Sequence, residues 1–63
     1  MEQSPIMKFF AYKHLPEGKL QDISAHFCEL AKTLDENVKG SAEKSAGLRK
    51  LLEAKDCMVR ASL

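Results

Sequence analysis

The fold is decided by Glu43–Ala61, which reads EKSAGLRKLLEAKDCMVRA. At about 100° per residue, a helix over this stretch has two apolar faces. The large side chains share one face: Leu48, Leu51, Leu52, Met58 and Val59. The small residues share the other face at a spacing of seven: Gly47, Ala54 and Ala61. Because large residues suit a core and small ones suit close approach of another helix, the stretch predicts a helix that also takes part in self-assembly.

A second apolar periodicity lies upstream, within residues 16–36. Its members recur at helical spacing: Leu20, Ile23, Phe27, Leu30, Ala31 and Leu34. Pro16 suits the first helical turn, and Asn37 and Gly40 are typical stop residues. We therefore predict helices over 16–36 and 41–62, the second starting at Ser41 or Gly40. The short loop between them predicts an antiparallel αα-hairpin.

Residues 1–14 are predicted to form an arm. The segment holds apolar residues without a helical period: Ile6, Met7, Phe9, Phe10 and Tyr12. In an extended chain the adjacent Phe9 and Phe10 would point to opposite sides, so the arm must pack on something. The polar start, Met1 to Pro5, is expected to be disordered. Residues 1–63 are thus predicted to be a single all-α domain, an arm followed by a hairpin.

The small size of the chain makes an extra source of stability desirable. A domain of 63 residues buries only about 60% of its unfolded surface, and such scaffolds use disulfides, metals or oligomers. No basic region followed by a long apolar run opens the sequence, so Cys28 and Cys57 are expected to be reduced thiols in a cytosolic protein. With His14 and His26 they lack metal-ligand spacing, and no metal or other cofactor is expected.

The charge pattern weighs against several function classes. A net charge of +1 argues against strong binding of nucleic-acid polymers, although residues 37–63 carry +3 and residues 19–36 carry −2. The basic second helix is the only support for a DNA-binding regulator, and Glu53 and Asp56 interrupt its basic face. No apolar run spans a bilayer, so no membrane partner is expected. Without a nucleophile–base motif, phosphate loop or paired carboxylates, the chain is not expected to be an enzyme.

The arm holds the first group of candidate binding residues. Phe10 and Tyr12 flank a small alanine, and Lys13 follows. Aromatic rings beside cations provide the stacking face and the charge that a nucleobase-plus-phosphate ligand needs. The alternative is a hydrophobic lid over the hairpin.

The helices hold the other candidates. His26 lies at the edge of the first apolar stripe, either as a boundary histidine bonded to Asp22 or water, or as a donor at a subunit interface. Lys55 lies inside the large apolar stripe, with its ammonium either reaching solvent or meeting an anion in an interface. Lys44 and Ser45 lie in a first helical turn, which favours phosphate, and the alternative is a simple cap and a solvated lysine.

These candidates coincide with a family pattern that covers roughly residues 9–62. Its parts are Phe10-x-Tyr12, Leu15-Pro16, Leu30-Ala31, the run EKSxxLRKLLEA from Glu43 to Ala54, and Val59-Arg60-Ala61. Together they resemble the hairpin-type phage sponges that block the bacterial CBASS defence, sometimes called anti-CBASS protein 2. The long run is moderately specific, and the aromatic arm and the spacing add to it.

The resemblance implies a compact helical homo-hexamer in the cytoplasm of the infected bacterium. Such a protein evades host immunity by binding cyclic oligonucleotide messengers without cleaving them. Family members hold cyclic dinucleotides between protomers with an arm tyrosine, which Tyr12 matches, and some hold cyclic trinucleotides at separate sites around a three-fold axis. By position, Lys44 and Ser45 are candidates for phosphate binding. Relatives carry a basic residue about two turns into the first helix, where His26 is the only replacement.

A rival hypothesis is an oligomeric helical module that inhibits a host protein directly. Such a module needs no chemistry from Tyr12 or Lys13. Loss of ligand binding with intact assembly and intact function would favour it.

Overall fold

The computed structural model describes residues 4–13, 15 and 18–63, and every regular element in these ranges is helical. A 3₁₀ helix spans Pro5–Phe10, α1 spans Lys19–Asn37 and α2 spans Ala42–Ala61. The two long helices pack together as a hairpin, and the 3₁₀ helix lies against both. The predicted all-α hairpin with an N-terminal arm is confirmed.

The ends of α1 lie close to the predicted ones. The start predicted at Pro16 lies outside the described residues, and α1 is regular from Lys19. Gly18 precedes it at a φ of 125°, a backbone region that favours glycine, and its carbonyl accepts the Asp22 N–H at 2.9 Å. The helix ends at Asn37, one residue beyond the prediction, where the Asn37 amide donates to the Thr33 carbonyl at 2.7 Å.

The start of α2 follows the predicted capping. Ser41 is the N-cap, and its hydroxyl oxygen accepts the Lys44 N–H at 3.1 Å. This bond satisfies one of the N–H groups that a helix leaves free in its first turn. At the other end the Ser62 hydroxyl donates to the Met58 carbonyl at 2.9 Å, one residue past the helix.

The arm contains a 3₁₀ helix, which the lack of a helical period in its apolar residues did not predict. Pro5 presets the backbone for a helical turn, and the Met7 N–H donates to the Ser4 carbonyl at 2.9 Å. With three residues per turn, Met7 and Phe10 share one face of the 3₁₀ helix, and that face is buried. Phe9 points away and is 55% exposed. The adjacent phenylalanines do point in different directions, because of the 3₁₀ helical geometry and not because the chain is extended.

The expected disorder of the chain start is wrong for its last two residues. Met1–Gln3 lie outside the described residues, as does His14. Ser4 bonds to Asp35 of α1 through both its N–H and its hydroxyl, and Pro5 begins the 3₁₀ helix. Two polar contacts to a distant carboxylate therefore hold this end of the arm.

The core lies where the arm crosses the hairpin. Its buried hydrophobic residues are Met7, Phe10, Ala31 and Leu48. Partly buried side chains surround them: Ile6, Phe27, Cys28, Leu51 and Leu52. The predicted stripe of large apolar residues on α2 is not buried at its C-terminal end, where Met58 is 51% exposed. The small-residue face is also open: Gly47, Ala54 and Ala61 are all exposed.

Within the described ranges, neither long helix has the apolar length that crossing a bilayer demands.

Candidate ligand groove

A groove of about 510 Å³ lies between the arm and α1. We call it the Tyr12 groove. The arm and the segment after it provide Met7, Lys8, Ala11, Tyr12 and Lys13. Helix α1 provides Cys28, Glu29 and Lys32. The volume lies within the range of about 300–1,000 Å³ that is usual for small-molecule sites.

Helical spacing explains the wall that α1 contributes. Cys28 and Lys32 are four residues apart, so they lie one above the other on the same face, with Glu29 beside them. Cys28 is half-buried against the core, while Glu29 and Lys32 are exposed. The wall is therefore apolar at its base and charged at its rim.

The opposite wall depends on the end of the 3₁₀ helix. Phe10 is locked in the core, and the chain leaves the helix at Ala11, whose N–H donates to the Lys8 carbonyl at 3.4 Å. Tyr12 follows and is half-buried in the groove. Burial of Phe10 thus sets where the Tyr12 ring lies.

The groove is electropositive. Three lysines and one glutamate line it, namely Lys8, Lys13, Lys32 and Glu29. The Lys8 ammonium also lies 5.2 Å from the centroid of the Phe9 ring, within cation–π range. An aromatic ring, an apolar base and several cations suit a ligand that is both planar and anionic.

Of the predicted site residues, the structure brings together Tyr12 and Lys13. Phe10 is 0% exposed, so in the protomer its ring offers no face to a ligand and belongs to the core. Ser45 is exposed and lines a different groove, of about 270 Å³, together with Arg49. The Lys44–Ser45 pair therefore does not meet the Tyr12 groove.

Lys44 is neither solvated nor free. Its ammonium lies 3.0 Å from Asp35 Oδ1 and donates to the Asp35 main-chain carbonyl at 2.8 Å. Only 12% of its side chain is exposed. The alternative of a solvated lysine is wrong, because the ammonium joins α2 to the last turn of α1.

The Asp35 carboxylate is the most strongly bonded acid among the described residues. The Ser4 hydroxyl, the Ser4 N–H and the Lys44 ammonium all donate to it. The bonds from Ser4, followed by the one from Lys44, stabilise the charged form and lower the pKa of Asp35 from 3.8 to about 2. One carboxylate on α1 therefore contacts both the arm and α2.

His26 and Lys55 lie outside the Tyr12 groove. His26 is exposed on α1, and no hydrogen bond or ion pair joins it to Asp22 in the ranges described. The Lys55 ammonium lies 3.1 Å from Asp56 Oδ1, and 14% of its side chain is exposed. Its stem is packed as predicted, but its ammonium pairs with the next residue.

The sequence reasoning missed Lys8, Cys28, Glu29 and Lys32. Lys32 matters most, because it places a cation of α1 in the groove, where the resemblance implies only His26. The spacing of Cys28 and Lys32 was a visible signal that they share a face. Periodicity did not reveal that the arm would cover that face.

The described residues hold no cluster of three or more histidine, cysteine or acidic side chains that suits a metal ion. Cys28 is half-buried and Cys57 is exposed, and both are free thiols. The Cys57 sulfur accepts a bond from the Arg60 guanidinium at 3.4 Å.

Comparison with protein-family models, curated proteins and solved structures finds no match to this chain. The resemblance to phage sponges therefore rests on the sequence motifs given above.

Proposed function

We propose that this chain is a non-catalytic sponge that binds cyclic oligonucleotide second messengers and so blocks the bacterial CBASS defence. Cyclic dinucleotides are the first ligand class and cyclic trinucleotides the second. The observation that carries the proposal is the Tyr12 groove, where one aromatic ring lies among Lys8, Lys13 and Lys32.

The chemistry of the groove matches that of the ligand. A cyclic dinucleotide presents flat bases and two phosphates. Stacking of a base on an aromatic side chain is worth about 1–3 kcal/mol, and lysines meet phosphates as mobile point charges. Lys32 supplies the cation from the first helix that relatives place elsewhere. Sequestration needs affinity and copy number, and no group in the groove has to react.

Self-assembly is the second part of the proposal. Only four hydrophobic side chains are buried in the described part of the protomer. An apolar groove of about 460 Å³, which includes Leu34, Val38 and Gly47, remains open. The exposed small-residue face of α2 starts at Gly47 and suits a close helix contact. These features support a homo-oligomer, and the family resemblance makes a hexamer the expected form.

Assembly would also give roles to residues that the protomer leaves outside the groove. His26 and Lys55 stay predictions for sites between protomers. A ligand bound across such an interface would stabilise the oligomer, because it binds the assembled state. Lys44 acts in this proposal through Asp35, as a structural cation.

The test is calorimetry of the purified protein against a panel of cyclic di- and trinucleotides, with the mass measured by light scattering. Tyr12→Ala should lose about 1–3 kcal/mol of binding, whereas Tyr12→Phe should keep most of it. Lys32→Gln should weaken binding, and Lys39→Gln, an exposed loop position, should not. Chromatography after heat release should recover the nucleotide intact.

Two results would overturn the proposal. Wild-type protein that binds no member of the panel removes the sponge function. A Tyr12→Ala variant that assembles, binds no nucleotide and still blocks the defence in cells replaces it with the host-protein inhibitor.

A further inference from the structure

The arm is tied to the hairpin by one polar anchor. The Ser4 N–H donates to Asp35 Oδ2 at 3.1 Å, and the Ser4 hydroxyl donates to Asp35 Oδ1. Within the described ranges no other hydrogen bond joins residues 4–13 to either long helix. The same residues also make apolar contacts with the core, through Ile6, Met7 and Phe10.

The acceptor is itself held in place. Asp35 lies in the last turn of α1 with 7% of its side chain exposed, and the Lys44 ammonium from α2 fixes it from the other helix. A carboxylate held in this way offers its two oxygens in one orientation. Ser4 therefore meets a rigid partner and not a mobile surface acid.

The 3₁₀ helix connects this anchor to the groove. It spans six residues between Ser4 and Ala11, or about 12 Å at a rise of about 2.0 Å per residue. Lys8 projects from it, and Tyr12 follows its C-terminal end. Packing of Met7 and Phe10 sets which face of the 3₁₀ helix is turned to the core. The two bonds at Ser4 hold the N-terminal end of the helix on α1. A shift of that end would tilt the helix and move Lys8 and Tyr12 together.

We infer that Asp35 is a positioning residue for the Tyr12 groove, acting through Ser4 and the 3₁₀ helix although it does not line the groove. The effect of Asp35 on ligand affinity rests on the proposed function. The effect of Asp35 on the position of Tyr12 is independent of that function and is measured without ligand.

The chain offers a direct probe, because it has one tyrosine and no tryptophan. Acrylamide quenching of tyrosine fluorescence therefore reports the exposure of Tyr12 alone. In Asp35→Asn and in Ser4→Ala, the quenching constant should rise towards that of a tyrosine in a short peptide. Ser4→Thr keeps the hydroxyl donor and should restore the wild-type value. The control is Glu36→Gln, an exposed acid next to Asp35, which should leave quenching unchanged.

Circular dichroism separates positioning from general instability. The expected result is raised quenching with unchanged helix content. Unchanged quenching in folded Asp35→Asn and Ser4→Ala overturns the inference. If Asp35→Asn does not fold, Ser4→Ala decides, because it leaves the pair between Asp35 and Lys44 intact.

Calorimetry with a cyclic dinucleotide supplies the second readout. Asp35→Asn should bind about tenfold more weakly than wild type, a loss of about 1.4 kcal/mol, and Glu36→Gln should bind as wild type does. Equal affinity of wild type and Asp35→Asn overturns the positioning role. If wild type itself binds no cyclic dinucleotide, the proposed function fails, while the quenching result still decides the role of Asp35.

Discussion

The ammonium of Lys44 contacts Asp35 at two atoms, lying 3.0 Å from Oδ1 and 2.8 Å from the main-chain carbonyl oxygen. That carbonyl is among the last four of α1, which have no partner inside the helix. A cation at this end also suits the negative pole of the helix. Because the Lys44 N–H bonds to Ser41, the same residue completes the start of α2 and the end of α1.

Acid should loosen this junction. The folded pKa of Asp35 is about 2, below its ordinary value of 3.8, so between these values the unfolded chain binds more protons. The stabilisation by Asp35 is therefore complete above about pH 4 and is lost as the pH falls towards 2. Urea unfolding followed by circular dichroism at pH 5, 4, 3 and 2 measures the loss.

The protein has nine acidic residues, so a variant is needed to isolate the contribution of Asp35. Asp35→Asn should be less stable than wild type at pH 5, and the difference should shrink towards pH 2. Glu36→Gln is the matched control, because Glu36 is exposed. If the free energies of unfolding of wild type and Asp35→Asn fall in parallel with pH, Asp35 does not stabilise the contact between the two helices.

Ser24→Ala should stabilise the protein. Ser24 is 1% exposed, and its hydroxyl has no hydrogen-bond partner among the described residues. Burying an unpaired hydroxyl costs about 1–3 kcal/mol in proteins, and alanine is also the better helix former. We expect a gain of about 1 kcal/mol in the free energy of unfolding, read from denaturant curves.

Ser41→Ala is the control of opposite sign. Ser41 is exposed, but its hydroxyl oxygen caps α2. Its loss should destabilise the protein by about 1 kcal/mol. Destabilisation by Ser24→Ala as well would mean that the Ser24 hydroxyl has a partner in solution.

Phe10→Ala should unfold the protein and not merely weaken binding. Its ring is fully buried beside Met7, Ala31 and Leu48. Removal of a core phenylalanine costs about 3–5 kcal/mol, which is a large part of the stability of a small domain. Thermal unfolding followed by circular dichroism tests this. Tyr12→Ala, at a half-buried position, should stay folded. A stable Phe10→Ala variant that lost only ligand affinity would return Phe10 to the binding site.

Ala54→Leu should split the proposed oligomer. Ala54 lies in the middle of the exposed small-residue face. A larger side chain in a close helix contact costs about 1–3 kcal/mol at each contact. Light scattering should show a lower mass at equal helix content. The matched control is Glu53→Leu, an exposed neighbour outside the face, which should keep the wild-type mass.

Gly47→Ala is a second variant on the small-residue face of α2, and it tests the stability of the helix. A methyl group added at Gly47 would meet nothing within 4 Å in the protomer. Gly47→Ala should therefore raise helix stability by up to about 1 kcal/mol. An unchanged mass for Ala54→Leu would argue against a close contact on this face, and a monomeric wild type with full helicity would end the case for assembly.

The sequence by itself determined the features that depend on a few neighbouring residues. The two helices and the hairpin follow from apolar periodicity and a short loop, and Ser41 was identifiable as a cap. The sequence also predicts Tyr12 and Lys13 as binding candidates, because an aromatic ring and a cation stand side by side. Such patterns are local, since helix hydrogen bonds and caps span only three or four positions.

Only the tertiary structure decided which of these residues meet. Ser4 and Asp35 are 31 positions apart, and no local pattern pairs them. Tertiary packing also buries Phe10 in the core and brings the Lys44 ammonium to Asp35. It places Lys32 and Tyr12 in the walls of one groove. A lysine or an aromatic ring fits a core, an ion pair or a binding groove equally well by type. Its role follows from which face of α1 the arm covers, and that depends on packing among residues far apart in the chain.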